Sequence, residues 1–119
     1  MLDTLKYVQH SGRVSWAKAR LANFLNLRSL IELGNGEVYS LGEARTRLKG
    51  IERLGAILTE TGPLQNLVIL HTNAKLDAER FKEQHKNQSK EQVWICNVTT
   101  VIGTHVGPNA LGFTAIKEK

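Results

Sequence analysis

The chain has 119 residues, a length typical of one domain with a modest hydrophobic core. Hydrophobic residues make up 41% of it and charged residues 23%, a balance typical of folded globular proteins and not of disordered ones. No apolar run approaches the roughly 20 residues that a membrane-spanning helix needs. The first residues also lack the basic and apolar regions of a secretory signal. We therefore expect one domain, residues 1–119, in the cytoplasm.

The formal net charge of +5 favours anionic partners. Nucleic acid, a membrane surface, an acidic protein and a carboxylate ligand all fit this charge, which does not choose among them. The single cysteine, Cys96, cannot form an internal disulfide. Because it lies in an apolar run, we expect it to be a small buried hydrophobic residue.

The first quarter of the chain predicts two helices. The spacing of leucine and valine between residues 2 and 9 indicates the first, which Ser11 and Gly12 end. Ser15 is a candidate N-cap for the second, at residues 16–25. A first helix with nothing before it to pack against indicates part of a larger fold.

A β-hairpin and a long helix are predicted next. Residues 29–33 and 37–39 have the composition of two short strands, and the Gly-Asn-Gly sequence at 34–36 tolerates the positive φ of a tight turn. A helix is predicted over residues 42–61, ended by the Gly-Pro pair at 62–63. The side chains expected to face the core from this helix are Leu48, Ile51, Leu54, Ile57 and Leu58.

The second half of the chain alternates strands with a helix. Residues 67–71 form an almost continuous apolar run, typical of a central strand covered on both faces. A polar helix is predicted at 75–86, followed by strands at 93–96 and 111–116. The expected buried side of this helix comprises Ala74, Leu76, Ala78 and Phe81. These elements predict an α/β fold in one lobe, a mixed sheet covered by helices.

The most informative segment is residues 101–112, in which an apolar approach leads into a polar, glycine-flanked loop and an apolar strand leaves it. Gly103 and Gly107 allow the backbone to come close to a ligand, and Pro108 stiffens the exit. His105 is presented between them and has an imidazole that can donate a hydrogen bond to a carboxylate. A purely structural role for this histidine in a Gly/Pro turn is the alternative.

Two basic segments are further candidates for binding. Arg13 follows a helix-ending glycine, so its guanidinium is either aimed at a carboxylate or phosphate or caps the preceding helix. Arg45, Arg47 and Lys49 stand near a predicted helix start, where cations are unfavourable for the helix dipole. This placement indicates either docking of an acidic or phosphate-bearing partner or a solvated basic face.

Motifs for several common chemistries are absent from the sequence. It contains no phosphate-binding glycine loop, no dinucleotide fingerprint and no Gly-x-Ser-x-Gly elbow. The four histidines and the cysteine show no metal-ligand spacing. We therefore expect neither catalysis by the chain alone nor a cofactor or metal.

Taken together, the motifs resemble the C-terminal part of DegV-family proteins, bacterial fatty-acid-binding proteins that serve fatty acid kinase. The resemblance extends in order over nearly the whole chain. Its most specific part is the Ile-Gly-Thr-His-Val-Gly-Pro sequence at 102–108. The weaker parts are Ser-Gly-Arg-Val at 11–14, Leu-Asn-Leu-Arg-Ser-Leu-Ile at 25–31, Gly-Glu-Val at 36–38 and Ala-Arg-Thr-Arg at 44–47.

The resemblance implies a two-lobed fold with a long-chain fatty acid at the junction of the lobes. The residues that it places near the fatty-acid carboxylate are Arg13, Gly103, Thr104 and His105. It also places Arg45 and Arg47 on the surface that meets a fatty acid kinase subunit. The family's N-terminal lobe is missing from this sequence, so the chain is expected to hold half a site, completed by a lobe on another chain or by a homodimer.

Four positions depart from the family pattern. Ser11 and Asn109 replace glycines, Val14 replaces an isoleucine and Ser29 replaces a proline. Asn109 adds bulk beside the loop that carries His105, although asparagine tolerates positive φ.

Two other functions compete with fatty-acid binding. A nucleic-acid-binding module would use the positive charge and the cluster of Arg45, Arg47, Lys49 and Arg53. It is disfavoured because aromatic residues are only 6% of the chain and form no stacking motif. A structural or assembly domain would use its apolar face to form a homodimer.

Overall fold

The structure is a computed structural model, and it describes residues 1–2, 28–34, 37–98 and 107–118. The helices and strands in chain order are β1 (Arg28–Gly34), β2 (Glu37–Ala44), α1 (Arg47–Thr61), β3 (Leu64–His71), α2 (Lys75–His85), β4 (Trp94–Asn97) and β5 (Leu111–Lys117), with a 3-10 turn at Lys86–Gln88. The helix predicted at 16–25 lies outside the described residues, as does all but the start of the one predicted at 2–9.

The three strands of the second half form one sheet with the order β4-β3-β5. β3 is parallel to β4 and antiparallel to β5, which confirms the predicted mixed sheet with β3 at its centre. Parallel neighbours need a crossover connection, and α2 provides it between β3 and β4.

β1 and β2 form the predicted antiparallel hairpin. β2 is longer than expected, because it continues to Ala44 opposite Arg28, with a bulge where Leu30 faces Gly42 and Ile31 faces Ser40. The helix predicted from residue 42 therefore begins only at Arg47.

The later start of α1 has a local physical reason. Gly42 has a φ of 122°, which is incompatible with a helix. Thr46 is the N-cap, with its hydroxyl accepting a hydrogen bond from the Lys49 amide at 3.1 Å.

Met1 and Leu2 join the hairpin to the three-stranded sheet. Leu2 exchanges two backbone hydrogen bonds with Ser29, at 2.7 and 3.2 Å, and the Met1 carbonyl accepts from the Leu111 amide at 3.0 Å. Leu2 therefore pairs as an isolated β-bridge, and the prediction that it is part of a helix is wrong at this residue. No further pairing between β1 and β5 is present in the described ranges, so Met1 and Leu2 provide the backbone hydrogen bonds that join the two sheets there.

Helices α1 and α2 cover one face of the sheet. Leu67 and Ile69 alternate toward that face of β3, and Leu58 and Phe81 come from the two helices to meet them. Each such side chain contributes roughly 1.5–3 kcal/mol when it is fully buried. This packed layer is the main hydrophobic core.

Three predictions of burial are wrong. Leu48 of α1 and Leu76 of α2 are 67% and 70% exposed, because each is turned away from its helix's buried stripe, which runs through Leu54 and Leu58 in α1 and through Ala78 and Phe81 in α2. Cys96 is exposed as well. It is paired in register with Leu70, whose side chain points away from the helices.

The C-terminus of α1 is tightly capped. Gly62 has the left-handed φ of 86° that ends the helix, as the Gly-Pro pair predicts. The side-chain Nε2 of Gln88 donates to the backbone carbonyls of Leu58 and Gly62, both at 2.6 Å. These bonds tie the 3-10 turn after α2 to the end of α1. Neither of the two helices described is long and apolar enough to cross a membrane.

Candidate functional site

The residues predicted to hold a carboxylate are Arg13, Gly103, Thr104 and His105, and all four lie outside the described residues. The two residues predicted to dock a partner are described. Arg45 is exposed in the short connection between β2 and α1, and Arg47 is half-buried in the first turn of α1. The described part of the site is therefore the surroundings of the predicted loop, not the loop itself.

An apolar cleft of about 1130 Å³ opens where β1 and β5 separate. Helix α1 forms its floor, the hairpin one wall and β5 the other. The main apolar side chains that line it are Ile31, Leu41, Leu54, Ile57, Phe113 and Ala115. Its size is slightly above the roughly 300–1,000 Å³ of ordinary small-molecule sites. The cleft is thus large enough for a flexible apolar ligand.

Charged side chains are also part of the cleft wall. Glu32, Arg53 and Glu60 come from the hairpin and from α1, and Lys117 comes from the end of β5. The sequence pattern does not predict the cleft, because its walls come from residues more than 80 positions apart in the chain. The alternating pattern of β5, with Phe113 and Ala115 on one face, is the local signal that this strand contributes a wall.

His71 lies on the cleft wall at the C-terminal end of β3 and is only 4% exposed. Its Nδ1 accepts a hydrogen bond from the Ala74 amide at 3.0 Å. An accepting Nδ1 places the proton of the neutral ring on Nε2, so the tautomer is fixed. The imidazole is therefore a pre-oriented hydrogen-bond donor.

Thr72 fastens the segment that follows the predicted loop. Its buried hydroxyl donates to the Gly107 carbonyl at 2.7 Å and accepts from the Ala110 amide at 2.9 Å. Its backbone exchanges two more bonds with the same segment, from its own amide to the Ala110 carbonyl and from the Asn109 amide to its own carbonyl. We call residues 107–110, held in this way, the clasped segment.

Asn109 adopts a φ of 61° and Gly107 a φ of 80° within the clasped segment. The expectation that Asn109 accepts positive φ is therefore confirmed. Asparagine is one of the few residues with a side chain that enters this left-handed region at small cost. Positive φ at this position is thus reached without a glycine.

Arg47 binds within the chain. Its Nε and Nη2 contact Oδ2 of Asp77 at 2.9 and 2.8 Å, and its Nη1 donates to the Asn109 carbonyl at 2.6 Å. Asp77 lies in the first turn of α2, where a carboxylate also suits the helix dipole. Arg47 thus links α1, α2 and the clasped segment, and of the two arginines predicted for docking Arg45 has the more exposed side chain.

No group of three or more histidine, cysteine, aspartate or glutamate side chains placed to hold a metal ion occurs in the part of the chain that the structure describes. The chemistry available in the cleft is therefore an apolar wall, a fixed imidazole and a rigidly fastened loop exit. This combination suits binding of a ligand with a long apolar part.

The sequence matches, over residues 1–118, the family model described as an uncharacterised protein of the DegV family. It is 30% identical over 120 residues to a DegV domain-containing protein of Clostridium acetobutylicum, covering 98% of this chain and 42% of that protein. It is 28% identical over 116 residues to protein DegV of Bacillus subtilis, covering 94% of this chain and 41% of that protein. The chain thus spans about two fifths of the length of the curated relatives it matches.

Solved structures are similar over the same extent. A fatty acid binding DegV family protein of Streptococcus agalactiae superposes with a TM-score of 0.82 at 25% identity, covering 99% of this chain and 43% of that one. DegV of Bacillus subtilis, described as a fatty acid binding protein, gives a TM-score of 0.72 at 26% identity, with 98% and 43% covered. The expected fold, one lobe of this architecture, is confirmed.

Proposed function

The chain belongs to the DegV family, and from this premise we propose that it binds a long-chain fatty acid whose acyl chain occupies the cleft between β1, β5 and α1. The observation that carries the proposal is the cleft itself. Its lining is mainly apolar, with charged side chains at Glu32, Arg53, Glu60 and Lys117, and it lies beside the clasped segment, which follows the loop that carries His105.

Burial of the acyl chain would supply most of the affinity. Transfer of each methylene group from water to an apolar wall contributes about 0.8 kcal/mol. Ile57 of α1 and Phe113 of β5 offer such apolar surface in the cleft. Nothing in this contact distinguishes one methylene from the next, so affinity is expected to rise steadily with chain length until the cleft is full.

The carboxylate would bind at the end of the cleft where Ala110 and His71 lie. A desolvated carboxylate needs charged or hydrogen-bonding partners. We propose that His105, Thr104 and the backbone of Gly103 provide them together with Arg13, as the family resemblance implies. The cleft supports this assignment because Gly107, two residues after His105, is fastened to Thr72 beside His71.

The chain would act as a binding subunit in the cytoplasm and not as an enzyme by itself. We propose that a further lobe, of the kind that makes up the rest of the matched relatives, or a second copy closes the cleft. The bound acid would then be presented to a fatty acid kinase subunit. Arg45 supports that docking role, because it is exposed next to the N-terminus of α1.

Lipid retention tests the proposal directly. The purified chain, alone and mixed with the N-terminal portion of the Clostridium acetobutylicum relative, would be incubated with palmitate below its micellar concentration. After desalting, bound acid would be quantified by mass spectrometry. We expect retained palmitate at up to one per cleft in at least one of the two forms. Absence of retained acid from both forms would refute the proposal.

The variant Ile57→Asn tests the cleft in this measurement, and Leu48→Asn is its matched control. Ile57→Asn places an amide in the cleft wall, and it should reduce retention of palmitate because the amide cannot be satisfied against an acyl chain. Leu48→Asn changes the same helix at an exposed position outside the cleft and should retain as much acid as the wild type.

A further inference from the structure

We infer that Thr72 is a positioning residue for the fatty-acid head group, acting through the clasped segment; the inference rests on the proposed function. Thr72 does not line the cleft, and neither the sequence motifs nor the family resemblance singles it out. Its place at the end of β3 makes it the residue to which the exit of the predicted carboxylate-binding loop is fastened.

The described residues on either side of that loop attach to two consecutive residues, His71 at the end of β3 and Thr72 directly after it. The Val98 amide, just before the loop, donates to the His71 carbonyl at 2.9 Å. The Gly107 carbonyl, just after the loop, accepts from the Thr72 hydroxyl at 2.7 Å. Val98 and Gly107 are therefore both held at the end of β3, the first by His71 and the second by Thr72.

A hydroxyl is required at this position because it serves two partners at once. The same oxygen donates to one side of the clasped segment and accepts from the other, and Thr72 is only 1% exposed. Water therefore cannot replace either bond if the hydroxyl is removed. Serine retains both bonds, whereas valine has the shape of threonine and retains neither.

Arg47 strengthens the same arrangement from the opposite side. Its bond to the Asn109 carbonyl holds the middle of the clasped segment, and its contact with Asp77 holds the guanidinium in place. The segment is thus fastened to β3 by Thr72 and to both helices by Arg47. Such fixation is suited to a segment that positions a binding loop.

The test compares an acid with its ester. Affinities for palmitate and for methyl palmitate, which has the same chain without the charge, would be measured in the form that retains lipid. In Thr72→Val we expect the ratio of acid to ester affinity to fall by about tenfold, because only the acid uses the carboxylate-binding loop. Thr72→Ser should keep the ratio within about twofold of the wild type.

Thr59→Val is the matched control. The Thr59 hydroxyl also bonds a backbone carbonyl, that of Gly55 at 2.9 Å, but within α1 and away from the loop. Its ratio should stay at the wild-type value. An unchanged ratio in Thr72→Val, or an equal loss for acid and ester, would overturn the inference. Failure of the wild type to bind either lipid would instead overturn the proposed function.

A second variant keeps the test decisive if Thr72→Val does not fold, as judged by circular dichroism. Arg47→Met removes the bond to the Asn109 carbonyl and leaves the Thr72 hydroxyl bonds unchanged. It should lower the acid-to-ester ratio by about threefold. A ratio equal to that of the wild type in Arg47→Met would also count against positioning through the clasped segment.

Discussion

The layer under the two helices and the cleft beside β5 are built from the same kinds of side chain, but these side chains are covered in the layer and partly open to solvent in the cleft. Under the helices, Phe81, Leu58 and Ile69 are almost completely buried. Across α1, Ile57 and Phe113 remain partly exposed because no described strand closes the gap between β1 and β5. Helix α1 contributes to both regions: Leu58 lies in the layer under the helices and Ile57 lines the cleft.

The difference separates stability from binding. Apolar surface that is already buried contributes to folding, whereas apolar surface left open contributes only when a ligand or a second lobe covers it. Substitutions under the helices should therefore change the free energy of unfolding. Substitutions at exposed positions of the cleft wall, such as Ala56, should change affinity and leave the fold intact.

Phe81→Ala should have the largest effect on stability. Removal of this nearly fully buried ring should lower the free energy of unfolding by about 3–5 kcal/mol, as measured by urea denaturation. Leu76→Ala, on the exposed side of the same helix, should change it by no more than about 0.5 kcal/mol. Equal effects of the two substitutions would mean that α2 does not pack as described.

Ala56→Glu should lower affinity without unfolding the chain, which distinguishes the cleft from the layer under the helices. Ala56 is exposed on α1 and lines the cleft, so a carboxylate there should lower palmitate affinity about tenfold or more while the fold is retained. Thr59→Glu adds the same charge to the same helix outside the cleft and should change affinity less than about twofold. Isothermal titration would measure both, and equal losses would point to a general charge effect instead.

Asn109→Ala should give a smaller loss of stability. Alanine lacks the local hydrogen bonding that lets asparagine adopt a φ of 61°, so the free energy of unfolding should fall by about 1 kcal/mol. Asn109→Gly should be tolerated, because glycine enters this region freely. Urea denaturation of the pair checks the prediction, which fails if glycine is the more destabilising of the two.

His85 should cause the smallest effect, visible only as a pH dependence. Burial against Phe81 lowers the pKa of His85 below its ordinary value of 6.5. The unfolded chain therefore takes up this proton at a higher pH than the folded chain, and this contribution to stability is lost as the pH falls below about 6.5. Denaturation curves between pH 7.5 and 5 should show a shallower decline in His85→Gln than in the wild type.

Local patterns predicted the elements that depend on local chemistry. The hairpin, β3, the end of α1 at Gly62 and the mixed sheet all follow from turn residues and apolar runs. The start of α1 was misplaced because β2 continues to Ala44 through pairing with Arg28, and such pairing has no signature in the residues of β2 alone.

Contacts between distant residues explain what the sequence did not predict. Arg47 was interpreted as a surface cation because its partners Asp77 and Asn109 lie 30 and 62 residues away. The Leu2–Ser29 bridge and the cleft likewise arise from tertiary packing. Thr72 has one local signal in the sequence. Thr72 and Asn73 are polar and directly follow the apolar strand β3, and such a position often marks a functional edge of a sheet.

The affinity of saturated fatty acids as a function of chain length tests the central claim most directly. If the acyl chain lies in the cleft, affinity should rise about three- to fourfold for each added methylene from ten carbons upward, until the cleft is filled. The rise should be weaker in Ala56→Glu. An affinity that does not change with chain length would show that the acyl chain lies outside this cleft, and it would contradict the account.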